Sequence, residues 1–428
     1  MAALTCGIDF GTSNSTVAVT THGAARLIAL EGDHVTLPSA VFWHSDEPPE
    51  FGRAALDAYV KGEDGRLMRG LKSTLGSSLI NDRTRVGNRT VSFRDIVARF
   101  FAELRARLDA VQPGTQSVVL GRPVHFVEND EGGDLAAQAV LQEIAASVGF
   151  REIGFQYEPI AAALQYESGI AAEELVLIVD IGGGTSDFSL VRVSPERAKQ
   201  ADRAADILAN DGIRVGGTDF DRLLSLAEVM PGLGYLTTTG QGRTVMPRHY
   251  YLDLATWHRI NFLYTQRIEA DLKALAAVAD HPERIERLRR VIAGRAGHGL
   301  AIAVEEAKIA LSGAEVARLA LSGLTGGPNP LATRGGFEAA VAAPVARIAN
   351  TMRGLLGMAG VRSDQVGTVF MTGGSSGLPI LRALVTAELP GVRIATGDML
   401  GSVGTGLALD SVRRFGGSGE RMVSRVGG

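Results

Sequence analysis

Two short stretches set a carboxylate beside glycines and hydroxyls at matching spacing. In Cys6–Val19 (CGIDFGTSNSTVAV), Asp9 ends an apolar run and is followed by Gly11, Thr12, Ser13 and Asn14. In the second, the apolar run Leu175–Val179 meets Asp180, then Gly182, Gly183 and Gly184, then Thr185 and Asp187. Glycines let a backbone approach a ligand closely and aim several N–H groups at one place. Hydroxyls add donors, and carboxylates add the negative charge that attracts a cation. The chemistry that suits this set is a phosphate held by amides with a carboxylate-coordinated cation beside it. Taken alone, either stretch reads equally well as an ordinary glycine-rich hairpin. The two copies lie about 171 positions apart, which suggests a duplicated architecture offering one hairpin from each half to a shared cleft.

The elements that must position these residues follow from the apolar pattern. Short apolar runs bounded by glycine predict buried strands at Leu175–Val179 and Val366–Met371, with a further strand at Ser117–Leu120. Arg26–Leu30 and Val41–Trp43 also read as strands, split by a turn-rich 31–38. Helical spacing predicts Ser92–Leu108, with Ser92 or Asp95 as a cap, and Leu135–Val148 closed by Gly149. Ile153–Tyr157 is a strand entering Glu158-Pro159 and an alanine-rich helix, Ile160–Tyr166, with the proline in the first turn. Ser194–Ala209 looks irregular, and Gly216-Gly217 opens a helix over Asp219–Leu226. Leu254–Leu311 is helical with breaks at His281-Pro282 and near Gly294–Gly299; its arginines (Arg284, Arg287, Arg289, Arg290) read as a solvated face. Helices are also expected at Phe337–Met358, Ile380–Leu389 and about Val403–Val412.

Composition narrows the class. The 428 residues carry 45% hydrophobic and 21% charged side chains, a globular balance long enough for two or three domains. A net charge of −4 gives no field favouring nucleic acid or an acidic membrane surface. The single cysteine, Cys6, excludes an internal disulfide and a cysteine zinc site, and it reads as a small buried hydrophobe. The eight histidines have no ligand spacing. Without a basic-then-apolar leader pattern or a spanning apolar run, a cytoplasmic protein is expected.

The motifs together are similar to those of the Hsp70 nucleotide-binding domain. Asp9–Asn14 resembles its first phosphate loop, Glu158–Leu164 (EPIAAAL) its connecting motif, and Asp180–Asp187 its second phosphate loop. Gly216–Asp221 (GGTDFD) and Gly373-Gly374-Ser375 with Pro379 resemble its remaining nucleotide motifs, all in the family's order, from about residue 4 to about residue 410. The resemblance implies an α/β fold of the actin-like ATPase type. Two lobes, each a ribonuclease-H-like subdomain plus an insertion, would close around a cleft holding ATP or ADP with Mg2+. Lobe I would span 1–172 with an insertion over about 38–115, and a terminal helix over about 402–413 would pack back on it. Lobe II would span 173–400 with an enlarged outer subdomain over about 215–312, leaving a disordered tail at 416–428. The chain most resembles short bacterial Hsp70-like chaperones lacking a peptide-binding domain. About 15 residues follow the last expected helix, too few for such a domain.

Carried over by motif position, Asp9 and Asp180 would hold the Mg2+ shell through waters, Lys72 would lie near the γ-phosphate, and Glu158 would orient the attacking water. Lys72 also reads as a solvated surface lysine, and Glu158 as a first-turn charge favoured by the helix dipole. Gly11, Thr12, Ser13, Asn14, Gly182, Gly183, Gly184 and Thr185 would cradle phosphates, with Asp187 supporting the loop. Gly216, Gly217, Glu305, Lys308, Ser312, Gly373, Gly374 and Ser375 would complete the nucleotide site. The family has arginines at the positions of Ile309 and Gly377, which stack on the base for about 0.5–2 kcal/mol. Their replacement predicts weaker adenine binding or apolar contact by Ile309. The implied function is slow Mg2+-dependent ATP hydrolysis in a chaperone-related protein. The alternatives are a nucleotide-dependent actin-like scaffold with little turnover and a small-molecule kinase. A protein client or an exchange factor on the outer subdomain is the expected partner, with no nucleic acid and no membrane.

Overall fold

The computed structural model describes residues 4–416 except 22, 87–88, 128–129, 168, 201, 241–243 and 397–400. The tail expected to be disordered lies, from residue 417 on, outside the described residues. The chain is a mixed α/β protein that divides into two compact units. The first comprises Met1–Gly212, Thr351–Ser376 and Glu388–Gly428, and the second Ile213–Asn350 and Gly377–Ala387.

The first unit opens with β1 (Thr5–Phe10), β2 (Asn14–Thr21), β3 (Ala24–Leu27) and β4 (Thr36–Pro38). The turn-rich stretch expected at 31–38 therefore ends in a strand, because Thr36–Pro38 pairs with Asn14–Thr16 along the free edge of β2. A small sheet of β5 (Ala40–His44), β6 (Glu50–Phe51) and β7 (Gly65–Arg69) encloses α1 (Gly52–Lys61). Then come the hairpin β8 (Arg83–Val86) and β9 (Arg89–Ser92), α2 (Phe93–Val111), β10 (Ser117–Arg122), α3 (Glu131–Ser147), β11 (Glu152–Tyr157) and α4 (Glu158–Glu167). Ser92 caps α2, accepting from the Asp95 N–H while the Asp95 carboxylate accepts from Ser92, as the spacing predicted.

The strands order as β11-β10-β1-β2-β3, with β4 also paired to β2. A second sheet is built from β12 (Glu174–Ile181), β13 (Ser186–Val193) and β14 (Ile207–Ile213), with β19 (Val366–Thr372) and β20 (Arg393–Thr396) on its other side. β14 begins inside the stretch expected to be irregular. The β1–β2 and β12–β13 hairpins are both antiparallel, and each central strand pairs in parallel on its other side, β1 with β10 and β12 with β19. The repeat read from Asp9 and Asp180 is thus a repeat of strand topology.

α13 (Ser402–Phe415) lies across β1, β10 and α4, and small residues permit the approach. A Cβ on Gly406 would fall 1.9 Å from the Ala161 carbonyl oxygen, and one on Gly7 would fall 2.4 Å from the Ala408 nitrogen. Ala161, Ala162 and Ala163 are buried beneath it.

The second unit contains α5 (Gly217–Leu224), the hairpin β15 (Thr238–Thr239) and β16 (Thr244–Val245), α6 (His249–Leu254), α7 (Gln266–Val278), α8 (Pro282–Ala293) and α9 (Gly297–Gly313). After these come β17 (Val316–Arg318), α10 (Ser322–Thr325), β18 (Leu331–Thr333), α11 (Arg334–Ala359), of which residues 334–350 belong to this unit, and α12 (Pro379–Glu388), of which residues 379–387 do. The breaks between α7, α8 and α9 fall where proline and glycine predicted them. The α8 arginines are not simply a solvated face. Arg284 and Arg287 donate to the carbonyls of Pro231 and Gly232 at 3.3 Å, and Arg289 pairs with Glu269 and Glu286 at 2.7 Å.

Candidate functional site

In the first unit four carboxylates gather around one ammonium. Lys72 sits on the 3-10 turn Leu71–Thr74, which starts after left-handed Gly70 (φ 64°) and is pinned by buried Leu71 and Leu75. Its Nζ donates to Glu158 Oε1, the first residue of α4. Asp9 lies on β1 opposite Thr16, and Asp180 lies on β12 opposite Asp187 of β13. Lys72 stands in no periodic context along the chain, because an ion pair 86 residues apart leaves no local pattern.

The charges act on one another. Burial pushes the Asp9 carboxyl up to about 7, helped by Glu158 and opposed by Lys72. Asp180 also rises to about 7, through burial and then through Asp187, Glu158 and Asp9. Burial by itself would lower the Lys72 ammonium, but Glu158, Asp9 and Asp187 together carry it above its ordinary range. The cluster therefore holds excess negative potential. Its donors are all oxygens, the set a hard divalent cation prefers. No group of three or more His, Cys, Asp or Glu side chains among the described residues is placed to hold a metal ion. Two separated carboxylates fit a hydrated Mg2+ held through its waters better than a caged ion.

Glycines make room for these carboxylates. A Cβ on Gly373 (φ 84°) would lie 2.3 Å from Asp180 Oδ1, and one on Gly212 would lie 2.8 Å from Asp187 Oδ1. A Cβ on Gly121 would lie 3.2 Å from Glu158 Cγ. The reading of the sequence placed Gly373 in the site but not Gly121 or Gly212; a glycine inside a strand, signalling close approach, could have flagged both.

The loops divide their labour. The Gly182 N–H donates to Thr185 O at 2.9 Å, so Gly182 shapes the turn rather than offering its amide outward. Thr185 Oγ1 donates to Asp187 Oδ2 at 2.9 Å. A Cβ on Gly183 would come within 2.5 Å of Ser13 Oγ, bringing the two hairpin loops face to face, whereas Gly184 borders open space. Thr12 is exposed, and Gly11, Ser13 and Asn14 are half-buried. Ser375 N–H donates to Ile181 O at 3.0 Å and its hydroxyl to Gly182 O at 3.4 Å, tying the 373–375 turn to the second loop; Gly374 is exposed there. Ser39 braces the first loop, donating to Gly11 O at 2.6 Å and sharing a 2.9 Å hydrogen bond with Ser15. Ser39 had no sequence signal.

The remaining expected residues lie in the second unit. Gly216 and Gly217 are buried at the start of α5, where the Gly216 N–H donates to Asp219 Oδ2 at 3.1 Å. Lys308 of α9 is buried and pairs with Asp221 of α5 at 2.8 Å. Burial carries the Asp221 carboxyl up to about 6, with Lys308 opposing and Glu305 assisting. Glu305 is exposed, Ser312 half-buried, and Ile309 is 61% exposed.

Comparison with known proteins finds similar chaperones. Chaperone protein HscA of Pectobacterium carotovorum is 26% identical over 403 residues, covering 89% of this chain and 53% of that protein. The Yersinia enterocolitica HscA is 27% identical over 404 residues, with the same two coverages. The HscA homolog of Pseudomonas aeruginosa is 32% identical over 243 residues, 52% of this chain and 37% of its own. The chain is similar to HscA proteins, which are Hsp70-family chaperones. No protein-family model matches it. It spans about half the length of the curated Hsp70-type relatives it matches. No helix among its described residues is long and apolar enough to cross a membrane.

Proposed function

We propose that this protein, similar to Hsp70-family chaperones, binds ATP with Mg2+ and hydrolyses it slowly in a chaperone-related role. The observation that carries the reading is the Lys72–Glu158 ion pair set among Asp9, Asp180 and Asp187, with the Ser13 and Gly183 loops facing each other. Phosphoryl transfer needs positioning and charge neutralisation more than covalent chemistry. Asp9 and Asp180 would hold a hydrated Mg2+, which supplies neutralisation of the triphosphate charge. Lys72 would place its ammonium against the terminal phosphate, and Glu158 would fix Lys72 and orient water. Ser13, Thr185 and the loop amides beyond Gly182 would receive phosphate oxygens. Lobes at 1–172 and 173–400 around a nucleotide cleft belong to the same reading, as do a protein partner on the outer subdomain and a cytoplasmic setting.

Calorimetry of ATP, ADP and GTP with Mg2+ tests it. Adenine-nucleotide binding accompanied by phosphate release supports the proposal, and no detectable adenine-nucleotide binding would sink it. Ile309, exposed where the family has an arginine, favours modest affinity, so binding without turnover would instead support the nucleotide-dependent scaffold.

A further inference from the structure

Glu158 stands at the first residue of α4; the last residue of that helix is held by a buried ion pair, and the strand β11 that enters its first residue by a buried hydrogen bond to a carboxylate. At its last residue, Glu167 receives a fork from Arg203, whose side chain is fully buried: Nη1 to Oε2 at 2.9 Å and Nη2 to Oε1 at 2.8 Å. Glu167 Oε1 also accepts the Ser194 N–H at 2.8 Å, and Arg203 continues to buried Asp206, which Arg197 pairs as well. At the other end, Gln156 precedes Glu158 by two residues. Its Oε1 accepts the Tyr157 N–H at 3.0 Å and its Nε2 donates to buried Asp410 of α13 at 3.1 Å. Asp410 is in turn bound by Arg413 and by Arg414 at 2.8 Å. Arg413 closes the ring by donating to the carbonyls of Ala198, at 2.7 Å, and Gln200, in the segment that carries Arg203.

Stability alone does not call for this arrangement. A buried ion pair gains little over well-packed apolar side chains, because desolvation offsets the attraction. What a planar guanidinium fork and a doubly bound carboxylate supply is fixed geometry. Apolar packing by Ile160, Leu164 and the alanines between them holds this ten-residue helix against its neighbours without fixing its position along its own axis. Its first side chain must keep the Lys72 ammonium within hydrogen-bond reach, where small displacements are costly to chemistry.

We infer that Arg203 and Asp410 are positioning residues for Glu158, Arg203 holding the last residue of α4 and Asp410 holding the strand that leads into its first. The inference rests on the nucleotide reading of the site for its catalytic consequence, but not for its structural one. Neither residue touches the Asp9–Asp180 cluster; each acts through α4.

The test uses the full chain with two variants. Glu167→Gln/Arg203→Met removes the fork from both sides and leaves Asp206 to Arg197, so no buried charge is stranded. Asp410→Asn acts at the opposite end and decides the matter if the first variant does not fold. Amide hydrogen exchange across α4 is read beside steady-state phosphate release with Mg2+ and ATP. The expected result is exchange at residues 158–162 faster by about tenfold and kcat lower by about tenfold, with KM within about twofold. A clamp that is merely structural gives faster exchange confined to the substituted end, lower thermal stability, and kcat unchanged per folded molecule; that result overturns the inference. If the unsubstituted protein releases no phosphate, the nucleotide reading fails, and exchange at 158–162 decides the clamp by itself.

Discussion

The acidic cluster of the first unit and the Asp221–Lys308 pair of the second both bury opposite charges, yet they are balanced differently. Around Lys72, four carboxylates (Asp9, Glu158, Asp180, Asp187) share one ammonium, and two of them are driven up to about 7. In the second unit one lysine meets one aspartate at 2.8 Å, with Glu305 exposed nearby. A balanced buried pair is largely self-sufficient. An unbalanced cluster stores electrostatic tension that a cation would relieve, and such imbalance is a better guide to a working site than burial or charge alone.

Neutralising one member of the unbalanced cluster gives the largest effect that this contrast predicts. Asp180→Asn should lower phosphate release by about 100-fold or more, because a group acting on developing charge is lost. A variant that hydrolyses ATP at the unsubstituted rate would show the cluster to be another structural network. Gly373→Ala should come next. Its Cβ would meet Asp180 Oδ1 and sit at a φ of 84°, so about 2 kcal/mol of stability and about tenfold in Mg2+–nucleotide affinity should go together. Denaturant unfolding and calorimetry on one preparation would show whether they do.

The balanced pair predicts a smaller, purely energetic response. Lys308→Met strands the Asp221 carboxylate and should cost about 2 kcal/mol, most of it recovered in Asp221→Asn/Lys308→Met. A double variant as unstable as the single one would mean that the pair fixes packing beyond its charge.

The pH dependence is the gentlest separator. Asp9 and Asp180 bind protons more tightly folded, at about 7, than their ordinary value of 3.8. Their contribution to stability is therefore full below about pH 4 and is lost as pH rises through about 7. Without divalent cations Tm should fall between pH 5 and about 7.5, and Mg2+ should raise Tm by a few degrees more at the upper pH. Equal Mg2+ shifts at both pH values would remove the cation from the cluster.

Much of the architecture was legible because it is written locally. The apolar runs around Asp9 and Asp180, the Ser92 cap, Pro159 and the breaks at Pro282 and Gly294 each act within a few residues, so their consequences could be read in order along the chain. β4 and β14 were not legible, since Thr36–Pro38 and Ile207–Ile213 become strands through the partner edges they meet. The candidate site divides along the same line. Residue types and spacing by themselves determined which loops suit phosphate and cation chemistry, and the family order of those loops. Tertiary structure alone decided that Lys72 bonds Glu158, that Gly121, Gly212 and Gly373 clear space for three carboxylates, that Ser39 braces the first loop, and that Lys308 is spent on Asp221. The physical reason is range. Propensity and turn chemistry act over a few residues, whereas ion pairing and steric clearance depend on distances through space that the order of residues does not contain.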